Sequence, residues 1–167
     1  MSVGTIVWLT GLPSSGKSTL AAAVADQLRA GGVACAVLDG DEVRAALRPT
    51  PGYDEVSRDA FYETLARLAA MLAAQGLTVL VPATANRRAF RERARAIAAG
   101  RFVEVFVDTD IETCRARDAK GLYASAQASG ALPGAGATYE PPTSPELVVR
   151  AGSPDPAALI VAAIHRR

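Results

Sequence analysis

At 167 residues, half of them hydrophobic and 21% charged, the chain has the length and composition of one globular domain able to bury a core without staples. Its formal net charge of +1 supplies no basic field for a polyanion, so a nucleic-acid partner is not expected. Cys35 and Cys114 form neither a CxxC pair nor a metal-ligand spacing. No apolar run reaches bilayer length and the opening Met1-Ser2-Val3-Gly4 carries no signal region, so a cytoplasmic location without a membrane partner is expected.

Short apolar runs alternate with helical segments. Residues 5–9 (TIVWL) read as a buried strand, and after a glycine-rich turn a helix over 17–30 is closed by Gly31-Gly32. A second strand at 34–38, holding Cys35 as a core residue, leads to a short helix at 43–47 and a turn at 49–52. Over 55–75, Phe61, Leu65, Leu68 and Leu72 form one stripe of a 3.6-residue period, and Gly76 ends that helix. A third strand spans 78–81. The helix over 87–99 has Gly100 just past its end, and Arg87, Arg88, Arg91, Arg93 and Arg95 on it read as a solvated face. A fourth strand covers 102–107, and Thr109 or Asp110 caps the helix that carries Cys114 and Arg117. Residues 124–145, rich in Ala, Gly, Ser and Pro, show no period and read as a long functional loop. Residues 146–149 form a fifth, weaker strand. Asp155-Pro156 sets an N-cap and an N1 proline before a last helix in which Ile160 and Ile164 face inward. No repeat or domain boundary interrupts this order.

Gly11-Leu12-Pro13-Ser14-Ser15-Gly16-Lys17-Ser18 fits G-x-x-x-x-G-K-[ST] in full, between a strand and a helix as that motif requires. Its glycines let several backbone N–H groups face one anion, and the helix N-terminus adds its positive end. With Thr19 it forms the expected ATP site, Lys17 reaching the β- and γ-phosphates and the Ser18 hydroxyl ligating Mg²⁺. The predicted fold is therefore α/β: a P-loop, nucleotide-kinase-like three-layer sandwich, one domain over 1–167, with a five-stranded parallel sheet covered on both faces. A guanine-reading N-K-x-D is absent, since Asn86 is the only asparagine and Arg87-Arg88 follow it. A motor or AAA-type ATPase needs far more chain. A kinase for a small acceptor remains.

The second strand ends in Leu38-Asp39-Gly40-Asp41, placing two carboxylates beside the phosphate loop, where ligands collect in open parallel sheets. Asp39 suits a water on Mg²⁺. Asp41 suits accepting the acceptor hydroxyl's proton or orienting it, and a plain surface turn is the bland alternative. Arg44 and Arg58 suit an anionic acceptor, since guanidinium grips phosphate or sulfate with a fork of donors; for Arg58 a surface ion pair is an equal reading. Arg115 and Arg117 read either as charge-neutralising lid arginines or as residues favouring a helix C-terminus.

GLPSSGKST followed by LDGDEVR resembles the adenylylsulfate kinases, which phosphorylate the ribose 3′-hydroxyl of adenosine 5′-phosphosulfate with ATP. Gly52-Tyr53, Ser57-Arg58, residues 100–109, Arg117-Asp118-Ala119-Lys120-Gly121-Leu122-Tyr123 and the Tyr139-Glu140-Pro141-Pro142 segment carry the resemblance, which runs from about Ile6 to Val149. It implies that Asp41, Arg44, Tyr53, Arg58, Phe61, Arg88, Lys120 and Leu132 line the acceptor side. It further implies that Arg117 lies over the ATP adenine, that residues 118–145 form a mobile lid, and that the chain is a homodimer. Departures fall on the acceptor side: Phe61 replaces an asparagine, Glu63 an arginine, Ala85 a serine and Leu132 a phenylalanine. These changes predict a less positive pocket with weaker purine recognition. They leave two alternatives open, a sibling kinase for another hydroxyl and a non-catalytic ATP-binding regulator. Retention of Lys17, Ser18, Asp39, Asp41 and Arg117 speaks against the regulator.

Overall fold

In the computed structural model, which describes residues 3–118, 121–126, 132–133 and 136–166, strands and helices alternate along the chain. They run β1 (Ile6–Thr10), α1 (Lys17–Ala30), β2 (Cys35–Val37), α2 (Gly40–Ala46), α3 (Glu55–Ala74), β3 (Thr78–Pro82), α4 (Arg88–Ile97), β4 (Phe102–Asp108), α5 (Ile111–Ala116) and α6 (Leu122–Ala126). A short ladder of β5 (Leu132–Pro133) and β6 (Gly136–Ala137) follows, then β7 (Leu147–Arg150) and α7 (Pro156–His165). Five strands pair in parallel in the order β2-β3-β1-β4-β7, with Ile6 opposite Val79 on one side and Phe102 on the other.

β1 is central and all five of its residues are buried, as an apolar run without alternation requires of a strand covered on both faces. Its side chains divide by the period of two. Val7 and Leu9 join Leu20, Val24 and Leu28 of α1 and Ile160 of α7 in one core, while Ile6 and Trp8 join Phe61 and Leu65 of α3 and Phe90 of α4 in the other. The predicted three-layer sandwich is the observed one. α1 has the predicted bounds, and Asp155 caps α7 with Pro156 in its first turn.

Several expectations need correction. α2 begins at Gly40, earlier than the expected 43, because Asp39 caps it. The core stripe of α3 is Phe61, Leu65, Ala66, Ala69 and Ala73; Leu68 and Leu72 are only half-buried, since the face that packs with Ile6 and Trp8 of β1 is the one carrying the alanines. Cys35 is half-buried and Cys114 fully buried. The arginines of α4 are not one solvated face. Arg91 is 2% exposed, its guanidinium donating to Glu104 at 2.8 Å, to the carbonyl of Ala85 and to that of Glu140 at 2.5 Å. Arg95 forks onto both oxygens of Glu146 at 2.7 and 2.8 Å. α6 runs into the start of the expected loop and the β5–β6 ladder lies within it, elements of five and two residues whose lengths are too short for a sequence period to register. Among the described residues no helix is long and apolar enough to cross a membrane.

Candidate active site

Strand order reverses at β1, which has β3 on one side and β4 on the other, so a crevice opens at its carboxyl end. The phosphate loop fills the mouth of that crevice. Gly11, at φ 154°, passes so close to β4 that a Cβ there would stand 2.5 Å from the Val107 carbonyl oxygen. Gly16 caps α1 at φ 97°, a left-handed conformation that turns the loop into the helix. Lys17 is buried, and its Nζ donates to the carbonyls of Gly11 at 3.0 Å and Leu12 at 2.7 Å. Two distant side chains brace the loop from below: Thr109 Oγ1 donates to the Ser15 carbonyl at 3.0 Å and the Tyr123 hydroxyl to that of Pro13 at 2.7 Å.

The carboxylates arrive from the end of β2. Asp39 Oδ1 accepts from the backbone N–H of Asp41 at 2.9 Å and of Glu42 at 3.4 Å, the N-cap role that starts α2. Its Oδ2 accepts from Ser18 Oγ at 2.5 Å, so a hydroxyl and a carboxylate oxygen stand together beside Lys17. Asp41 lies exposed in the first turn of α2 and faces the same cleft. Arg44, one turn on, is buried; its Nη1 donates to the carbonyls of Pro51 and Gly52, and its guanidinium lies over the rings of Phe61 and Tyr53. The cleft holds about 1460 Å³ and is continuous from the phosphate loop through Asp39 and Asp41 to Arg58 and Phe61, with Arg117 also in its lining. Phe61, expected both on the α3 stripe and on the acceptor side, is at once part of the core and of the cleft wall.

Not every expected residue reaches this cleft. Arg88 lines a separate, smaller cavity of about 340 Å³ with Arg91, Glu92 and Arg95, because α4 turns it away from the acceptor side. Glu63 does not make the cleft less positive: it pairs with Arg67 at 2.8 Å and Arg93 at 3.4 Å between α3 and α4. Lys120 lies outside the described residues, as does the side chain of Leu132. Ala85 is buried, and its N–H donates to the Tyr62 hydroxyl at 3.1 Å.

Tyr123 and Tyr139 do structural work that residue-by-residue reading did not find. Asp118 accepts from the N–H groups of Leu122 and Tyr123, both at 2.8 Å, and this starts α6 and aims the Tyr123 ring beneath the phosphate loop. Burial, more than the neighbouring Cys114, raises the Tyr123 phenol above its ordinary range, so the hydroxyl stays a donor to Pro13. Thr10 Oγ1 spends its proton on the Thr84 carbonyl, so the Tyr139 hydroxyl donates to Thr10 across 3.0 Å; burial pushes that phenol up to about 12. Asn86 and Glu140 tie residues 138–140 to the loop after β3: Asn86 Nδ2 donates to Thr138 O at 3.0 Å, and Arg88 N to Glu140 at 2.8 Å. Among the described residues no group of three or more His, Cys, Asp or Glu side chains is placed to hold a metal ion. The pair Ser18 and Asp39 supplies hard oxygen donors of the kind that share a magnesium ion with substrate phosphates and water.

The family profile described as Adenylylsulphate kinase matches residues 3–150. An adenylyl-sulfate kinase of a Synechococcus strain is 44% identical over 149 residues, covering 88% of this chain and 85% of the relative. One from Burkholderia ambifaria is 39% identical over 165 residues, covering 96% and 91%. The solved structure of the Mycobacterium tuberculosis APS kinase CysC in complex with AMPPNP and APS superposes with a TM-score of 0.93 at 34% identity, over 99% of both chains. A gluconokinase from Sinorhizobium meliloti, 20% identical with a TM-score of 0.61, shares the fold alone.

Proposed function

Since the chain belongs to the adenylylsulphate kinase family, it is an ATP-dependent adenylylsulfate kinase, and we propose that its own residues carry the transfer in the cleft described above. The acceptor 3′-hydroxyl oxygen of adenosine 5′-phosphosulfate bonds to the γ-phosphorus of ATP, the bond from that phosphorus to the β,γ-bridging oxygen breaks, and ADP leaves. Asp41, at the mouth of the cleft, takes or orients the proton that the hydroxyl gives up. Lys17 leaves the carbonyls of Gly11 and Leu12 for the transferring phosphate and offsets its charge. The loop N–H groups and the α1 N-terminus hold the remaining phosphate oxygens.

Ser18 and Asp39 would hold magnesium, which when bound neutralises charge on the phosphates. Arg44 and Arg58 would meet the anionic end of the acceptor, and Arg117 the nucleotide end of ATP. Residues 118–145, which include Lys120 and Leu132, would cover both as a lid. A cytoplasmic setting suits an enzyme that consumes ATP, and a homodimer belongs to the reading by resemblance to the family.

The observation that carries this reading is the convergence of Lys17, Ser18, Asp39 and Asp41 on one cleft at the carboxyl ends of β1 and β2. The test is Lys17→Ala, assayed by ADP release with adenosine 5′-phosphosulfate and checked by circular dichroism. Turnover should be lost with the fold intact. Turnover equal to that of the wild type would overturn the assigned site.

A further inference from the structure

Arg44 is held in an unusual way for a residue at a ligand cleft. It is 6% exposed, yet it belongs to the lining of the open cleft, together with Asp41, Tyr53, Arg58 and Phe61. Its Nη1 is committed to the linker between α2 and α3, donating at 3.1 Å to Pro51 O and at 2.7 Å to Gly52 O. Its guanidinium carbon lies 3.9 Å from the centroid of the Phe61 ring and 4.4 Å from that of Tyr53. Phe61 is itself fixed, 3% exposed in the α3 core stripe and edge-on to Tyr62. Tyr53 by contrast is 61% exposed. Among the described residues no hydrogen bond occupies Nε or Nη2 of Arg44. A guanidinium is planar and pairs with oxyanions through two parallel N–H groups, so fixing its plane fixes the direction in which it binds.

We propose that Phe61 is a specificity-determining positioning residue: its ring, with that of Tyr53, sets the plane of Arg44 so that Nε and Nη2 present a fork to a tetrahedral oxyanion of the acceptor. This deepens the acceptor-side reading given above and rests on it. The rigid α3 core supplies the fixed face. The exposed Tyr53 supplies an adjustable one, and the two linker carbonyls close the remaining direction. Phe61 thus acts on the acceptor through Arg44 rather than by contact of its own.

The experiment is a double-mutant cycle in steady-state kinetics with ATP and adenosine 5′-phosphosulfate, using Phe61→Leu, Arg44→Lys and the pair. Arg44→Lys keeps the charge and loses the plane, so it should raise the acceptor KM. Phe61→Leu keeps an apolar side chain and loses the ring face, so it should raise the acceptor KM by about fivefold to tenfold, the scale of a cation–π contact. In that variant kcat and the KM for ATP should stay within about twofold, a split that general loosening of the core would not give. Phe61→Tyr, which restores a ring face, should recover most of the loss. The pair should be no worse than Arg44→Lys alone. Additive losses in the pair would overturn the proposal by showing that Phe61 touches the acceptor directly. An acceptor KM raised by Arg44→Lys and unmoved by Phe61→Leu would overturn the positioning role and leave the acceptor-side reading standing. An acceptor KM unmoved by Arg44→Lys would overturn that reading, and the proposal with it. Should Phe61→Leu fail to fold, Tyr53→Leu at its exposed position gives the same cycle, with additivity again the contradicting result.

Discussion

Asp39 and Asp41 stand two positions apart and have separate surroundings. Asp39 is engaged on both oxygens, by the N–H groups of α2 and by Ser18, and Asp41 lies in the first turn of α2 in the lining of the cleft. Asp41→Asn should therefore lower kcat by about a hundredfold or more, the usual scale for a positioned base, with ATP affinity almost unchanged. Single-turnover kinetics with a nucleotide-binding titration would check this; loss of ATP affinity would instead give Asp41 a place at the metal. Glu63 belongs to the same scale. Its partners are Arg67 and Arg93, so Glu63→Ala should leave the acceptor KM unchanged and lower Tm by about 1–2 °C, as expected for exposed ion pairs in a domain of this size. A changed acceptor KM would restore it to the pocket. The sequence discloses both chemistries, carboxylates after a buried strand and a glutamate in place of an arginine. It does not disclose which way residue 63 points, because that depends on how the alanines of α3 seat the helix on the sheet.

Between elements, the phosphate loop rests on parts of the chain far from it in sequence. Tyr123 reaches Pro13 from 110 positions away, with α6 held beneath the loop by Asp118. Removing one buried hydrogen bond leaves the Pro13 carbonyl without its donor, a loss of about 1 kcal/mol or somewhat more. Tyr123→Phe should therefore raise the KM for ATP about threefold to tenfold while the acceptor KM moves less, as read by steady-state kinetics over both substrates. An unchanged KM for ATP would reduce Tyr123 to a core residue. This tie is illegible in the sequence, because a side chain bonding a carbonyl 110 positions away leaves no local signal. Arg91 was hidden for the opposite reason. On a helix dense in arginine it reads as solvated, and the approach of Glu104 from β4 with the carbonyls of Ala85 and Glu140 makes its burial tolerable.

For the whole molecule, alternation of apolar strands and amphipathic helices was enough to read a parallel sheet with both faces covered, and the phosphate-loop motif fixed where that sheet binds its ligand. Position in the sheet then explains why the site is assembled from β1, β2 and the loops after β3 and β4, elements that neighbour one another only through the order β2-β3-β1-β4. The substitutions at Phe61 and Glu63 raised the prospect of a different acceptor. Identity of 44% over 88% of the chain assigns the adenylylsulfate kinase activity despite them, and in the fold Phe61 packs on Arg44 while Glu63 leaves the cleft. The most direct measurement is of the product itself: purified protein with ATP, magnesium and adenosine 5′-phosphosulfate, with ADP release and 3′-phosphorylated acceptor quantified together. Equal amounts of both are expected, dependent on the acceptor and abolished by Lys17→Ala. ADP release that ignores the acceptor, or transfer to other hydroxyls with none to this one, would contradict the assigned activity.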